Sequence, residues 1–353
     1  MSFNAEQRRH LTNLLQFYET WKETSRSLAK LPGGTYWRVI NSKEYLYKYV
    51  TKSGIKQSTS IGPKTPETEA IAEDFQQAKK DLRDRLGAIE GRINTLAPIM
   101  RVLNLPAIDE TAGKILRALD QVGYLGQNIL VIGTYAMTAY EMTAETRFAE
   151  GFDATEDLDF TIVVDPANPS DSDLPRRLLL TLKEVDKSFL VSHSSSKTVV
   201  NKEGYRVDLL ISKDLAPAMQ RAMPWKPEAL EGQEWLALGT PVQQLLIDFK
   251  GWPVPVTAPD PRYFALHKLW LSKRPKRIRE GRAPKDAAQG ETLLKAAQEF
   301  MPHYAVDDEF IQSLPNALRQ IWDAFQGDAA KDAEQRKGTE QKTGRKTSRG
   351  PTR

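Results

Sequence analysis

The sequence predicts an α+β protein in which helices and strands mix around one sheet. Two observations favour this class. Long segments such as residues 66–96 repeat apolar residues at helical spacing, whereas short apolar runs such as residues 158–164 have the length and composition of strands. A four-residue loop ending in glycine, Asn201 to Gly204, separates two of these runs and predicts a hairpin. Strands joined both by helices and by a hairpin predict a mixed sheet.

Residues 1–100 predict an accessory N-terminal module. An amphipathic helix is expected between Asn4 and Leu31, a small antiparallel sheet between Thr35 and Ile61, and a long polar helix from Pro66 to Leu96. The sheet is rich in tyrosine and tryptophan. Such residues more often form a half-buried core than a platform for stacking nucleic-acid bases, and the sequence leaves both interpretations open.

Residues 101–215 predict a central core of helices and strands. Helices are expected at Thr111–Gly123, Thr134–Thr146 and Leu174–Asp186, and strands at Asn128–Ile132, Leu158–Val164, Lys197–Val200 and Tyr205–Ile211.

Residues 216–326 predict a C-terminal helical region. The chain is punctuated by prolines up to Pro261, and helical periodicity then predicts helices over Arg262–Lys273, Lys285–Phe300 and Asp307–Phe325. Residues 327–353 are basic and poor in apolar side chains, which predicts a disordered tail.

Composition excludes several classes of function. The 353 residues contain no cysteine, so disulfides, cysteine-bound zinc and a thiol nucleophile are excluded. No apolar run is long enough to span a membrane and the N-terminus lacks a signal-peptide core, so we predict a cytoplasmic protein without membrane contact. The net charge of +4 is mild, but basic residues cluster between Lys273 and Arg282. This cluster is either a solvated surface or an attraction for a phosphate-rich partner.

Carboxylates interrupt two of the predicted core strands. Asp157 and Asp159 are two residues apart, so on a strand they point to the same side and can hold the same metal ion. Asp208 lies within the later apolar run. Carboxylate oxygens are the ligands that Mg²⁺ and Mn²⁺ prefer. The spacing therefore predicts a divalent-cation site.

A glycine ends the strand that precedes these carboxylates. Gly133 and Thr134 lie between the strand at Asn128–Ile132 and the next helix. Glycine lets a phosphate approach the backbone, and the N–H groups that open a helix favour anions. A glycine–threonine pair at this position is also typical of an ordinary turn.

The order of these motifs resembles the polymerase-β-like nucleotidyltransferase superfamily: strand, glycine turn, helix, Asp-x-Asp strand and a later strand with a single aspartate. Residues 131–134 and 154–160 are similar to a bacterial family of nucleotidyltransferase-fold proteins related to those of toxin–antitoxin and defence systems. The likeness extends to residues 34–37, 60–63 and 262–268. The usual Gly-Ser or Gly-Gly is Gly133-Thr134 here, and the β-branch of threonine brings extra bulk toward a phosphate.

The resemblance implies that residues 101–215 form a polymerase-β-like catalytic core and that the protein is a metal-dependent enzyme. It implies transfer of a nucleoside monophosphate from an NTP to a hydroxyl of an acceptor, with release of pyrophosphate. The acceptor would be RNA such as tRNA, a protein or a small molecule. The implied site has Asp157, Asp159 and Asp208 as catalytic metal ligands for Mg²⁺ or Mn²⁺, and Gly133, Thr134 and Lys268 as phosphate-binding residues.

Alternatives remain at each level. Lys268 is equally well explained as a surface lysine on an amphipathic helix, and His267 as a packed or surface histidine. The Gly-Thr departure also allows a catalytically silent, nucleotide-binding regulatory protein. An Asp-x-Asp glycosyltransferase is disfavoured because the sequence contains no Gly-x-Gly-x-x-Gly fingerprint.

Overall fold

The computed structural model describes residues 3–52, 55–148, 157–163, 173–219 and 225–327. Two predicted features lie outside these residues: the Ala154–Glu156 part of the motif segment, and the basic tail beyond residue 327. The described chain is a mixed α+β protein, as the sequence predicts. None of its described helices is both long enough and apolar enough to cross a membrane.

The N-terminal part consists of two helices with a sheet between them. Helix α1 begins after Asn4, whose side chain accepts a hydrogen bond from the backbone N–H of Gln7 and caps the helix. Helix α2 has 37 residues and begins with Pro66. The bounds are α1 Ala5–Ala29, β1 Gly34–Ile40, β2 Lys43–Lys52, β3 Ile55–Pro63 and α2 Pro66–Val102, with the strands antiparallel in the order β1-β2-β3.

The two long helices belong to the main core, whereas the small sheet lies apart from it. Leu14 of α1 and Ile93 of α2 are fully buried in the same apolar cluster as the central strands. The hydroxyl of Tyr18 donates a 2.7 Å hydrogen bond to Asp120. The sheet instead packs against α2, with Leu46 fully buried. Helices α1 and α2 therefore pack with the central region, whereas the small sheet contacts α2.

The central region forms a six-stranded mixed sheet with the order β5-β6-β9-β8-β7, and β10 also pairs with β9. β6 runs parallel to β9 and antiparallel to β5, and the predicted hairpin joins β8 to β9. The bounds are β4 Ala107–Ile108, α3 Glu110–Gln121, β5 Ile129–Ile132, α4 Thr134–Thr143, β6 Asp157–Ile162, α5 Leu174–Val185, β7 Leu190–Val191, β8 Thr198–Val200, β9 Arg206–Ser212, α6 Ala216–Met219 and β10 Glu228–Leu230.

The C-terminal region contains strands that the sequence does not predict. β11 pairs with β12 on one side and with β4 on the other, so β12 is an edge strand of this second sheet. An edge strand tolerates the prolines at positions 253 and 255, because residues there need not donate to a neighbour. The bounds are β11 Val242–Asp248, β12 Pro253–Ala258, α7 Pro261–Ser272, α8 Pro275–Arg279, α9 Ala283–Phe300, α10 Asp308–Ser313 and α11 316–327, with 3₁₀ turns at Gln233–Ala237 and Pro302–Tyr304.

Two details of the C-terminal helices matter for the site. The helix predicted over Asp307–Phe325 is broken at Leu314, which is extended because it precedes Pro315. Helices α7 and α9 pack closely at Gly290, where a β-carbon would lie 2.7 Å from Cγ of Leu269. This close contact brings the start of α9 beside α7.

Candidate active site

The pairing of β6 with β9 places two predicted carboxylates side by side. Asp159 lies directly opposite Asp208 in this parallel pair, and Asp157 lies opposite Arg206. Alternation along β6 turns Leu158 and Phe160 into the core, where they are 0% and 1% exposed, and turns the aspartates to the other face. Asp157 and Asp159 thus share one face of the sheet, as their spacing predicts, and the register of β9 adds Asp208 to that face.

Gly133 forms the wall of the site next to Asp159. It has φ +72° and is the residue before α4, in a backbone conformation that favours glycine. A β-carbon on it would lie 2.5 Å from Oδ2 of Asp159. The space that the missing β-carbon leaves, where the sequence predicts the approach of a phosphate, is therefore filled by this carboxylate.

Thr134 opens α4 and is partly buried. The N-cap residue, Gly133, gives the helix no side-chain cap. The first backbone N–H groups of α4, which lie next to Gly133, therefore have no capping side chain to accept their hydrogen bonds.

The carboxylates repel one another in this partly dry environment. Burial, together with the neighbouring charges of Asp208 and Asp157, raises the pKa of Asp159 to about 6. Burial also raises the pKa of Asp208, against the effect of Thr198, whose hydroxyl donates a 2.5 Å hydrogen bond to it. A neighbouring cation would relieve this repulsion.

Asp157 is the most exposed of the three predicted carboxylates. Its Oδ1 is 3.8 Å from Nε of Arg206, and both side chains are about half exposed. Within the described ranges, no three acidic or histidine side chains are arranged so that they could hold a metal ion. The structure thus pairs Asp159 with Asp208 but does not gather all three carboxylates into a metal-binding group.

A buried ion-pair network lies within electrostatic reach of Asp159. Nζ of Lys268 donates a 2.9 Å hydrogen bond to Oδ1 of Asp286, and Nε of Arg277 is 3.5 Å from Oδ2 of the same carboxylate. The Lys268 side chain is 12% exposed, so it is not the surface lysine that was the alternative. Burial lowers its pKa, and the Asp286 carboxylate opposes that effect. Lys268 and Arg277 both act to lower the pKa of Asp159.

His267 is a packed residue, one of the two possibilities that the sequence leaves open. It is 3% exposed and contacts the rings of Trp235 and Trp270. Burial lowers its pKa to about 3, helped by the nearby charges of Lys268 and Arg277. The imidazole is therefore neutral at physiological pH.

Another carboxylate joins three of the elements around the site. Asp109 caps α3 and also accepts hydrogen bonds from the hydroxyls of Tyr135, on α4, and Tyr205, which precedes β9. Burial raises the pKa of both tyrosines. Both hydroxyls therefore stay protonated and hold the starts of α3, α4 and β9 together.

Several residues of the site have no recognisable signal in the sequence. Arg277 is one of several basic residues between Lys273 and Arg282, and the sequence does not distinguish it from the others. Asp286 resembles an ordinary acidic residue in the first turn of a helix. Arg206 and Thr198 become neighbours of the carboxylates only through strand register. Alternation around Asp208 is the one pattern that could have pointed to Arg206, two residues earlier on the same face.

Comparison with known proteins identifies a family for most of the chain. A family model described as Nucleotidyltransferase matches residues 110–327, which include the carboxylate pair, Gly133 and the Lys268 network. Comparison with curated proteins gives no significant match, and neither does comparison with solved structures.

Proposed function

This chain belongs to the nucleotidyltransferase family, and from that premise we propose that it transfers a nucleoside monophosphate from an NTP to an acceptor hydroxyl in a reaction that needs a divalent cation. One observation carries the proposal. Asp159, which stands opposite Asp208, contacts Gly133 at the start of α4 and lies within electrostatic reach of Lys268 and Arg277. Carboxylates that could bind a cation are thus near a helix N-terminus and two basic side chains that could bind phosphates, as an NTP and its cation require. We also propose that the central sheet is a polymerase-β-like core.

The residues present suit Mg²⁺ or Mn²⁺. Asp159 and Asp208 offer hard oxygen ligands. Burial and the neighbouring charge of Asp208 raise the pKa of Asp159, so a cation would be stabilised there. Asp157 would join them by leaving its weak contact with Arg206. When bound, the cation supplies charge neutralisation for the triphosphate and polarises the attacking hydroxyl.

The remaining roles fall to groups of this chain. The N–H groups that open α4 and the Thr134 hydroxyl would bind phosphate oxygens beside Gly133. Lys268 and Arg277, both held by Asp286, would offset the charge on the leaving pyrophosphate. Asp208 would accept the proton of the acceptor hydroxyl, for which its raised pKa makes it a better base.

The acceptor would be an RNA such as tRNA, a protein or a small molecule. The resemblance to bacterial toxin–antitoxin and defence proteins favours a macromolecule by analogy. A second function, nucleotide binding without turnover, is favoured by two observations: threonine at position 134, and the absence of a preformed three-ligand metal group among the described residues.

The test is transfer of α-³²P label from each of the four NTPs to bulk tRNA, to lysate protein or to small-molecule extracts, with Mg²⁺ or Mn²⁺. Asp159→Asn is the site variant, and Asp74→Asn, on an exposed position of α2, is the matched control. We expect label to move with wild type and Asp74→Asn but not with Asp159→Asn. NTP-dependent thermal stabilisation without any transfer would instead support the silent nucleotide-binding protein.

A further inference from the structure

The small N-terminal sheet has two unlike faces. Register pairs Tyr36 with Tyr47, and Tyr47 with Ser60, on one face, whereas Trp37 pairs with Leu46 on the other. The Leu46 face packs against α2, where Lys48 lies over the ring of Phe75. We call the opposite face the tyrosine face. It consists of Tyr36, Arg38, Tyr45, Tyr47, Tyr49, Lys56, Ser58 and Ser60.

The tyrosine face presents a continuous group of aromatic rings. The rings of Tyr36 and Tyr47 stack at 5.6 Å with an interplanar angle of 24°, and Tyr49 lies 6.0 Å from Tyr36. The tyrosines are only half-buried, and the third strand, which borders them, is exposed over most of its length. Stacking of rings on neighbouring strands stabilises the sheet, but sheet stability alone does not explain why the rings stay partly exposed to solvent.

The charge of this face is uniformly positive. Nζ of Lys56 lies 4.5 Å from the ring centre of Tyr36 and 4.0 Å from that of Tyr49, and Arg38 lies over Tyr47. The described positions of the face include no aspartate or glutamate. An adjoining groove beside Tyr49 adds Lys79, Lys80 and Arg83, with Asp84 as its one acidic residue. Flat rings interleaved with cations complement bases joined by phosphates.

The tyrosine face and the carboxylates lie on different sheets. The small sheet packs against α2, and none of its described residues belongs to the main apolar core, whereas the strands that carry Asp159 and Asp208 are part of that core. An acceptor that contacts both the tyrosine face and the carboxylates must span two sheets, which favours a polymer over a small molecule.

We infer that the tyrosine face binds single-stranded RNA, which it would hold as the acceptor; the acceptor role rests on the proposed function, but the binding does not. Unpaired bases are needed because duplex bases are already stacked on each other. Ser58 and Ser60 stand in register with tyrosines and supply hydroxyls that can pair with ribose 2′-OH groups. When bases stack on Tyr36 and Tyr49, the ammonium group of Lys56 would move off these rings and bind a phosphate of the RNA.

The experiment is fluorescence anisotropy of the full chain with an unstructured, fluorescein-labelled RNA of about 20 nucleotides at about 0.1 M salt. The variants are Tyr36→Ala/Tyr49→Ala, Tyr36→Phe and Lys56→Gln. Lys48→Gln is the matched control, since it removes a lysine from the other face of the same sheet. Thermal unfolding checks that each variant folds.

We expect the double alanine variant to weaken RNA binding by about tenfold or more, because each base–aromatic stack contributes strongly. Tyr36→Phe should bind almost as wild type. Lys56→Gln should weaken binding and reduce its salt dependence by about one phosphate contact, whereas Lys48→Gln should not. If the double alanine variant does not fold, comparison of Lys56→Gln with Lys48→Gln still tests whether the tyrosine face binds RNA.

Three results would overturn the inference: equal affinity for the matching single-stranded DNA, equal affinity for duplex RNA, or binding that does not change in Lys56→Gln. Failure of the proposed function is distinguishable, because Asp159→Asn should bind RNA normally while transferring no label. RNA binding without any transfer would refute the enzyme and leave the tyrosine face as assigned.

Discussion

Gly133 and Asp159 are in such close contact that a β-carbon at residue 133 would lie 2.5 Å from Oδ2 of Asp159. The glycine therefore does more than end a strand. It lets the start of α4 approach the carboxylate that stands opposite Asp208. The glycine turn and the pairing of β6 with β9 thus bring Gly133, Asp159 and Asp208 together.

Gly133→Ala should destabilise the protein and abolish transfer. Alanine costs about 1 kcal/mol at positive φ, and here the added carbon must also displace a carboxylate, for a total of roughly 2–4 kcal/mol. Urea unfolding measures the loss. Gly204→Ala is the control, because Gly204 has φ +86° but no atom within 4 Å of the added carbon. Equal losses in the two variants would contradict the proposed contact.

Asp159→Asn should stabilise the protein at neutral pH while removing its activity. The native pKa of about 6 exceeds the ordinary value of 3.8, so keeping Asp159 ionised costs the folded state free energy above pH 6. That cost is absent below about pH 4, where the group is protonated in both states. The variant should therefore gain about 1–3 kcal/mol over wild type at pH 8 and nothing at pH 4.

Unfolding of both proteins by urea across this pH range measures the difference. Asp74→Asn, at an exposed position, should show a flat difference. A stability difference for Asp159→Asn that does not change with pH would show that the raised pKa of Asp159 is not its cause.

Alternation was enough to predict that Asp157 and Asp159 share a face of β6, and the loop at residues 201–204 was recognisable as a hairpin. The sequence could not tell that Asp208 stands opposite Asp159 and Arg206 opposite Asp157. Both relationships depend on register between strands almost fifty residues apart.

The Lys268 network and the second sheet could not be predicted, for different reasons. Strand β12 has prolines at alternate positions, which argues against a strand unless it lies at the edge of a sheet. The sequence does not show that β12 is an edge strand. Lys268, Arg277 and Asp286 meet because Gly290 lets α9 pack tightly on α7. No spacing rule links side chains on three separate helices.

The Lys268–Asp286 pair should be costly to break from either side. Lys268→Met leaves a 5%-exposed carboxylate with only its 3.5 Å contact to Arg277, so we expect a loss of about 3 kcal/mol. Combining it with Asp286→Leu should recover most of that stability, since the one charge left without this partner, Arg277, is 24% exposed and can be solvated. Denaturant unfolding of the single and double variants measures the coupling.

The more exposed pair Lys197–Glu228, at 2.8 Å, is the control, and Lys197→Met should cost less than about 1 kcal/mol. The refolded double variant should still fail to transfer nucleotide, because the cation expected to face the pyrophosphate is gone. Activity in that variant would limit Lys268 to a structural role.

Arg206→Gln should lower the concentration of divalent cation that the site needs. Arg206 lies 3.8 Å from Asp157 and also acts to lower the pKa of Asp208, so it competes with a cation for the same carboxylates. Stability should change little, because both partners of the pair are about half exposed. The measurement is the Mn²⁺ concentration that gives half of the NTP-dependent rise in Tm, which we expect to fall severalfold.

Arg279→Gln, at an exposed position of α8, removes one positive charge elsewhere and should leave that concentration unchanged. Loss of the NTP-dependent rise in Arg206→Gln would instead show that Arg206 binds the nucleotide itself, because a residue that only competes with the cation cannot be needed for binding.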